Sequence, residues 1–127
     1  CTGKVFYNLL EERDKRKLKN VKLLRLEQIY PFPARTLKDI LSDTPNAEVV
    51  WCQEEPKNMG AWFFVDRRIE DVLRSFKAKL TRPVYAGRAE AASPATGSLS
   101  RHNKEQTDLV NEALETAKNK TTKQAAE

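Results

Sequence analysis

The chain has 127 residues, of which 39% are hydrophobic and 32% are charged, and its formal net charge is +5. This length suits one domain with one core and is too short for two ordinary domains. No apolar run approaches the roughly 20 residues that span a bilayer, and the N-terminus lacks the basic and apolar regions of an export signal. We therefore expect a soluble, intracellular domain.

Cysteine and histidine are too scarce for several kinds of site. Cys1 and Cys52 stand apart, without a CxxC motif, and are predicted to be reduced core thiols. His102 is the single histidine, so a histidine metal site has no second ligand of that type, and Cys–His or Ser–His catalysis would depend on this residue alone. Catalysis by this chain in isolation is not expected.

The positive charge does not by itself indicate nucleic-acid binding. The runs EERDKRKLKNVK (11–22) and DRRIEDVLRSFKAKLTR (66–82) mix both signs at helical spacing. Such mixing is typical of solvated helix faces. Basic segments interleaved with aromatic residues are missing, and we expect no nucleic-acid partner.

The first half of the chain alternates between helical and extended patterns. Apolar residues at helical spacing predict a helix from Val5 that ends near Asn20. The short apolar run 21–27, VKLLRLE, is typical of a buried strand. Prolines in YPFP then interrupt the chain, and Pro33 suits the first turn of a second helix. The core-facing residues of that helix are predicted to be Leu37, Ile40 and Leu41.

The second half continues the alternation. Residues 48–54, EVVWCQE, predict a second strand, and residues 82–88, around Val84, predict a short third one. A helix between them has apolar residues at steps of three and four. These are Trp62, Val65, Ile69, Val72, Leu73 and Phe76. A last helix begins near Arg101 after a loop of small residues. Its apolar side is predicted to hold Leu109, Val110, Ala113, Leu114 and Ala117.

The order α-β-α-β-α-β-α predicts an α/β fold in three αβα layers, with a mostly parallel sheet. Residues 1–4, CTGK, are typical of the end of a strand and the turn into a helix. We therefore expect a first strand immediately upstream that is missing here. Residues 1–117 would form one domain of a longer polypeptide, and residues 118–127 a polar, frayed tail.

Five segments occur in the order and spacing of one known family. They are CTGKVFYNLLEER, LLRLEQIYPFP, VVWCQEEPKNMGAW, VYAGRAEAASPATGSLSRH and EQTDLVNEAL. Each segment is weak alone, but the series is highly specific. On these residues the chain resembles the C-terminal domain of the thiamine-diphosphate-dependent decarboxylase component of 2-oxoglutarate dehydrogenase, over nearly its whole length.

The resemblance implies a transketolase C-terminal-domain-like fold within an oxidoreductase of the tricarboxylic acid cycle. That enzyme oxidatively decarboxylates 2-oxoglutarate and passes succinyl to the lipoyl group of the succinyltransferase component. The implied cofactors, thiamine diphosphate and magnesium, would be bound by domains absent here, because the Gly-Asp-Gly signature is missing from this chain. We expect the 127 residues alone to be inactive. A free-standing α/β binding module without catalysis is the alternative.

The resemblance also implies partners. These are the remaining domains of the same polypeptide, a second copy in a homodimer, and the succinyltransferase and dihydrolipoyl dehydrogenase components. No membrane partner is expected. The implied location is the bacterial cytoplasm, with the mitochondrial matrix as the alternative.

The segment 51–62, WCQEEPKNMGAW, is the first candidate for an interface with another domain or subunit. Loops that leave the carboxyl ends of parallel strands form the crevice where partners meet. The candidate contacts here are Glu54, Glu55, Asn58 and Trp62. Solvated carboxylates that help to cap the next helix are the alternative. A general acid–base pair is the weakest interpretation, because adjacent strand residues point to opposite faces.

The segment RLEQIYPFP is the second candidate interface. Arg25 and Glu27 share one side of the predicted strand, so an intradomain salt bridge is one interpretation. Tyr30 and Phe32, flanked by prolines in a rigid loop, could instead dock against a partner, since aromatic residues are favoured in interface cores. Interface and intradomain packing are equal alternatives here.

The segment YAGRAEAASPATGSLSRH is rich in small residues and hydrogen-bond donors. Its candidate contacts with an anion or a neighbouring domain are Arg88, Ser93, Thr96, Ser98, Arg101 and His102. An N-cap of the last helix by Ser98 or Ser100 is the structural alternative.

Overall fold

Four helices and two short strands make up the part of the chain that a computed structural model describes. It describes the backbone of residues 1–125 and the side chains of residues 1–115. The elements are α1 Val5–Lys15, α2 Ala34–Leu41, β1 Val50–Cys52, α3 Trp62–Ser75, β2 Val84–Ala86 and α4 Leu99–Ala125. No helix in this part is long and apolar enough to cross a membrane.

The two strands form a parallel pair. Trp51 lies opposite Tyr85, and Cys52 lies opposite Ala86. Parallel neighbours need a long crossover between them, and α3 supplies it. The predicted α/β class and parallel pairing are confirmed, although both strands are shorter than the predicted 48–54 and 82–88.

Two apolar clusters pack on opposite sides of this pair, because successive strand side chains point to opposite faces. One cluster contains Leu37, Leu41, Trp51, Trp62, Val65, Ile69, Val72, Leu73 and Ala78. The other contains Val5, Leu9, Cys52, Ala86, Leu109, Val110 and Leu114. Most core residues predicted from helical spacing lie in these clusters. Phe76 and Ala113 are partly buried against them, whereas the predicted Ile40 is half-buried and belongs to neither cluster. Ala117 and the predicted tail 118–127 lie outside the described side chains, and those predictions stay open.

The predicted end of the first helix near Asn20 was wrong. The helix ends at Lys15, and Lys17 has a left-handed φ of 52°. The amide of Leu18 donates to the carbonyl of Arg13 at 3.1 Å, which is the bond that closes a Schellman motif. The last helix begins at Leu99, two residues before the predicted start.

The predicted strand over residues 21–27 was also wrong, because this segment forms no regular strand. Its neighbour is the first residue of the chain. The amide of Leu26 donates to the carbonyl of Cys1 at 2.9 Å, and the amino group of Cys1 donates to the carbonyl of Leu24 at 3.2 Å. One paired residue cannot extend a ladder, so the segment stays irregular.

Candidate functional site

Gln53 organises the loop that follows β1. Its side chain is 1% exposed, and its Oε1 accepts hydrogen bonds from the Trp51 indole at 2.9 Å and the Trp62 amide at 3.0 Å. Its Nε2 donates to the carbonyls of Met59 at 2.8 Å and Pro56 at 3.1 Å. Residues 54–61 are therefore folded around one buried amide.

Arg88 connects the ends of both strands to α4. Its side chain is 9% exposed. The guanidinium donates to the carbonyl of Glu54 at 2.6 Å, to the carboxylate of Glu105 at 3.1 Å and to the amide oxygen of Gln106 at 3.1 Å. A fourth bond reaches the carbonyl of His102 at 3.4 Å. These contacts favour a role for Arg88 in hydrogen bonding within the domain over the anion contact that the sequence suggested.

The two adjacent glutamates have different surroundings. The Glu54 carboxylate pairs with Lys4 at 3.0 Å and accepts from Gln106 at 3.1 Å. The Glu55 side chain is exposed, and only its backbone carbonyl meets the buried network, through Gln53 at 3.2 Å. Because Glu54 has a lysine partner and Glu55 faces solvent, the pair does not have the shared environment that acid–base catalysis needs.

A close approach at Gly87 brings the strand ends together. A Cβ atom there would lie 2.5 Å from the Tyr85 hydroxyl and 2.9 Å from the Gln53 carbonyl. The Tyr85 hydroxyl donates to the carbonyl of Arg88 at 2.7 Å, and its ring packs on Trp62 with centroids 5.3 Å apart. Burial raises the pKa of Tyr85 to about 12, so this hydroxyl remains a hydrogen-bond donor at neutral pH.

Asn58 joins the two loops that follow the strands. Its side-chain amide donates to the Ala91 carbonyl at 2.9 Å, and its Oδ1 accepts from the Ala91 amide at 3.1 Å. The amide of Lys57 also donates to the Arg88 carbonyl at 3.1 Å. Asn58 is exposed, but its polar atoms serve this connection.

Of the remaining candidates of the small-residue segment, Thr96 is half-buried, with a hydroxyl that has no hydrogen-bond partner among the described residues, and the others lie at the surface. Ser93 donates to the carbonyl of Ala95 at 2.8 Å, and Arg101 pairs with Glu105 at 3.0 Å. His102 is exposed. Ser98 precedes α4 and its hydroxyl accepts from the Arg101 amide at 3.5 Å, so Ser98, and not Ser100, holds the N-cap position.

Arg25 and Glu27 form the salt bridge that their spacing predicted, at 2.6 Å. The Arg25 guanidinium also donates to the Tyr7 hydroxyl at 2.9 Å and lies 5.2 Å from the centre of that ring. Arg25 thereby attaches the 21–27 segment to α1. The salt bridge itself lies near the surface, with Glu27 exposed.

The aromatic residues of the YPFP loop divide between surface and core. Tyr30 is 78% exposed, and its ring meets only the edge of Phe64, with centroids 6.5 Å apart. Phe63, next in sequence to Phe64, is 61% exposed. Phe32 packs against the first apolar cluster, and Trp62 is buried within it. Tyr30 of this loop and Phe63 of α3, to which we refer together as the aromatic surface, are therefore exposed large side chains.

Several polar side chains of the described residues are hydrogen-bond or ion-pair partners within the domain. Among them, no group of three or more histidine, cysteine or acidic residues could hold a metal ion. Burial raises the pKa of the Cys52 thiol to about 12, so it is protonated and a poor nucleophile at neutral pH. Sequence reasoning missed Gln53 and Gly87. The available signal was a polar residue and a glycine, each directly after a buried strand.

Comparison with known proteins agrees with the family resemblance found in the sequence. A family model described as 2-oxoglutarate dehydrogenase C-terminal matches residues 1–114. Proteins named 2-oxoglutarate dehydrogenase E1 component, from Brucella anthropi, Brucella ovis and Brucella canis, are each 55% identical to the chain over 114 residues. Each match covers 90% of this chain but 11% of the relative, so the chain spans about a tenth of their length. The chain belongs to the 2-oxoglutarate dehydrogenase C-terminal family.

Proposed function

We propose that the chain is the C-terminal domain of a 2-oxoglutarate dehydrogenase E1 polypeptide. In this proposal the whole polypeptide oxidatively decarboxylates 2-oxoglutarate and passes succinyl to the lipoyl group of a succinyltransferase component. The observation that carries the proposal is the 55% identity to named E1 components over 114 residues. The proposal also includes a dihydrolipoyl dehydrogenase component as a partner and the bacterial cytoplasm as the location.

In this proposal the domain contributes contacts with other domains or subunits of the enzyme and does not bind the cofactors. The described residues offer a metal ion no group of three or more acidic, cysteine or histidine ligands, and three buried polar side chains are already paired within the domain. Gln53 is bonded to its own loop, Arg88 to Glu105, and Glu70 to Arg74. The cofactors are therefore assigned to other domains, and we derive no catalytic step through them here.

The aromatic surface is the proposed contact with another domain or with the second subunit of a homodimer. Tyr30 and Phe63 are 78% and 61% exposed, and aromatic residues are enriched in the buried centres of protein interfaces. The loops that follow β1 and β2 are fixed by Gln53 and Asn58. They form a second proposed contact region, in which Glu55 is exposed. A three-layer, transketolase-like arrangement with helices on both sides of a parallel sheet agrees with the two apolar clusters.

The test uses the longer polypeptide encoded by the natural reading frame. With thiamine diphosphate and magnesium present, it should reduce an artificial electron acceptor in the presence of 2-oxoglutarate. A purified, folded polypeptide that turns over other 2-oxoacids but not 2-oxoglutarate would refute the proposed activity.

The contact role is tested separately in the same polypeptide. The double substitution Tyr30→Ala with Phe63→Ala should weaken dimerisation, measured by sedimentation at decreasing concentrations. Leu99→Ala is the matched control, because Leu99 is also a large exposed apolar residue, at 75%, but lies at the start of α4. Equal dimer dissociation constants for both variants and the parent would exclude the aromatic surface from the dimer interface.

A further inference from the structure

The run 66–82 mixes both charge signs in sequence, but the fold separates them in space. Its six basic and three acidic residues give it a net charge of +3, out of +5 for the whole chain. The side chains of Glu70 and Asp66 are 5% and 24% exposed, whereas those of three arginines are 61–75% exposed. These arginines are Arg67, Arg74 and Arg82, which we call the arginine surface. Their guanidinium groups face outward and the two carboxylates lie deeper.

Glu70 holds the arginine surface together. Its Oε1 accepts from the Nε and Nη2 of Arg74 at 3.1 and 2.9 Å, and its Oε2 accepts from the Nη1 of Arg82 at 3.1 Å. The Nε of Arg67 lies 4.0 Å from the same Oε2. Because a shared carboxylate restricts these long side chains, they lose less conformational freedom when a partner binds them.

The arginine surface presents further donors to solvent. An arginine has five N–H donors, and the bonds to Glu70 use two nitrogens of Arg74 and one of Arg82. Arg82 also lies 3.9 Å from the Asp66 carboxylate. Guanidinium groups bind carboxylates through pairs of parallel hydrogen bonds, because their donors form a planar fork. The exposed edges of the arginine surface therefore suit acidic side chains.

A single small anion fits this surface poorly. The position where the guanidinium groups converge is already occupied by the Glu70 carboxylate. Another anion can approach only from outside, where that carboxylate repels it. A polypeptide with several acidic residues can instead pair with each guanidinium group separately.

The arginine surface continues the aromatic surface along α3. Four residues of this helix follow at steps of four, three and four, which places them on one face: Phe63, Arg67, Glu70 and Arg74. Phe63 is 61% exposed. Arginine and aromatic residues are the side chains enriched in protein–protein interfaces. Apolar rings beside guanidinium groups match a polypeptide partner, which supplies both apolar and acidic side chains.

We propose that the arginine surface binds an acidic segment of a second protein chain, whose aspartate or glutamate side chains pair with Arg67, Arg74 and Arg82. The proposal concerns a binding partner and does not depend on which 2-oxoacid the longer polypeptide uses. Its test is a binding measurement, so its failure is distinguishable from failure of the proposed enzyme activity.

The experiment measures the binding of a fluorescently labelled hexaglutamate peptide to the longer polypeptide, by fluorescence anisotropy at low ionic strength. The double substitution Arg67→Gln with Arg82→Gln leaves Arg74 bonded to Glu70. It should weaken binding about threefold or more, because two exposed ion pairs with the peptide are lost. Lys15→Gln with Lys19→Gln is the matched control, since it removes the same charge from exposed positions in and after α1.

Equal affinities of the double variant, the control and the parent would overturn the proposal, as would no binding of hexaglutamate to the parent. An oligothymidylate of equal charge tests nucleic acid as the occupant. Tighter binding of that probe through the same two arginines would overturn the acidic-protein assignment. Displacement of hexaglutamate by inorganic phosphate, beyond the effect of sodium chloride at equal ionic strength, would assign a small anion and also overturn it.

Substitutions at Arg67 alone give a second test that leaves the hydrogen bonds of Glu70 in place. Arg67 is 75% exposed and lies 4.0 Å from Glu70, so its variants should keep the urea midpoint of the parent. Hexaglutamate affinity should fall in the order arginine, Arg67→Lys, Arg67→Gln, Arg67→Glu, because charge and then its sign are changed. An affinity that is the same for Arg67→Glu and the parent would overturn the proposal.

Discussion

The substitution Gln53→Leu tests whether one buried amide holds the loop after β1. Leucine has a similar size but no polar atoms. The change removes the acceptor for the Trp51 indole and for the Trp62 amide, two donors that have no access to water in this position. It also removes the donor to the Met59 and Pro56 carbonyls.

The expected loss of stability follows from those unpaired groups. A buried donor left without a partner costs roughly 1–3 kcal/mol, so two donors give a range of roughly 2–6 kcal/mol. Leucine offsets part of this, because the buried amide it replaces carries its own desolvation cost. We expect a net loss of about 2–4 kcal/mol, a large part of the roughly 5–15 kcal/mol that stabilises an ordinary domain.

Urea unfolding followed by tryptophan fluorescence measures this loss directly. Trp51 and Trp62 are the two tryptophans of the chain, and both donate to Gln53. Gln28→Leu is the matched control, because Gln28 is exposed and bonds only to the Tyr30 carbonyl, at 3.1 Å. The control should stay within about 0.5 kcal/mol of the parent. An equally small change for Gln53→Leu would refute the role assigned to its amide.

Three further predictions concern stability at other positions. Gly87→Ala should cost roughly 1–3 kcal/mol in urea unfolding, because its Cβ would meet the Tyr85 hydroxyl at 2.5 Å. Lys77→Gly should gain about 0.5–1 kcal/mol in the same assay, because Lys77 has a left-handed φ of 56° after α3. Hydrogen bonding from Arg74 lowers the pKa of the buried Glu70 carboxyl. The ionised carboxylate therefore stabilises the folded state above its ordinary pKa of 4.5, and this stabilisation is lost as pH falls through the folded-state pKa. Glu70→Gln should therefore reduce the acid dependence of the urea midpoint.

Control substitutions at exposed positions distinguish these specific effects from a nonspecific loss of stability. Gly97→Ala should be neutral, because a Cβ there meets nothing within 4 Å. Glu90→Gln removes an exposed carboxylate and should leave the acid dependence intact. An unchanged pH profile for Glu70→Gln, a neutral Gly87→Ala, or a destabilising Lys77→Gly would each contradict the corresponding explanation.

Features that depend on local sequence were predictable. The three- and four-residue spacing of Val65, Ile69 and Leu73 is set by helix geometry, so it identified the buried face of α3. The parallel pairing followed from the alternation of strand and helix patterns. The Arg25–Glu27 contact followed from the two-residue period of an extended chain.

Features that depend on distant partners were not predictable. The significance of Gly87 depends on a hydroxyl and on a carbonyl 34 residues away in sequence, and Arg88 reaches equally far to Glu54. The early end of α1 was missed because lysine, not glycine, takes the left-handed position at residue 17. Residues 21–27 have the composition of a strand, but strand formation needs a neighbour, and that neighbour contributes a single residue here.

The buried polar groups near the strand ends fit the proposed role of the domain. An apolar core could be built without Gln53 or Arg88, and burying such groups is costly unless every partner is in place. Both side chains bond chiefly to loop carbonyls and to α4, so they fix the loops 54–61 and 88–98. A loop that is already ordered loses little conformational entropy when another rigid surface packs against it. An ordered network of this kind therefore suits the contact with other domains that is proposed above.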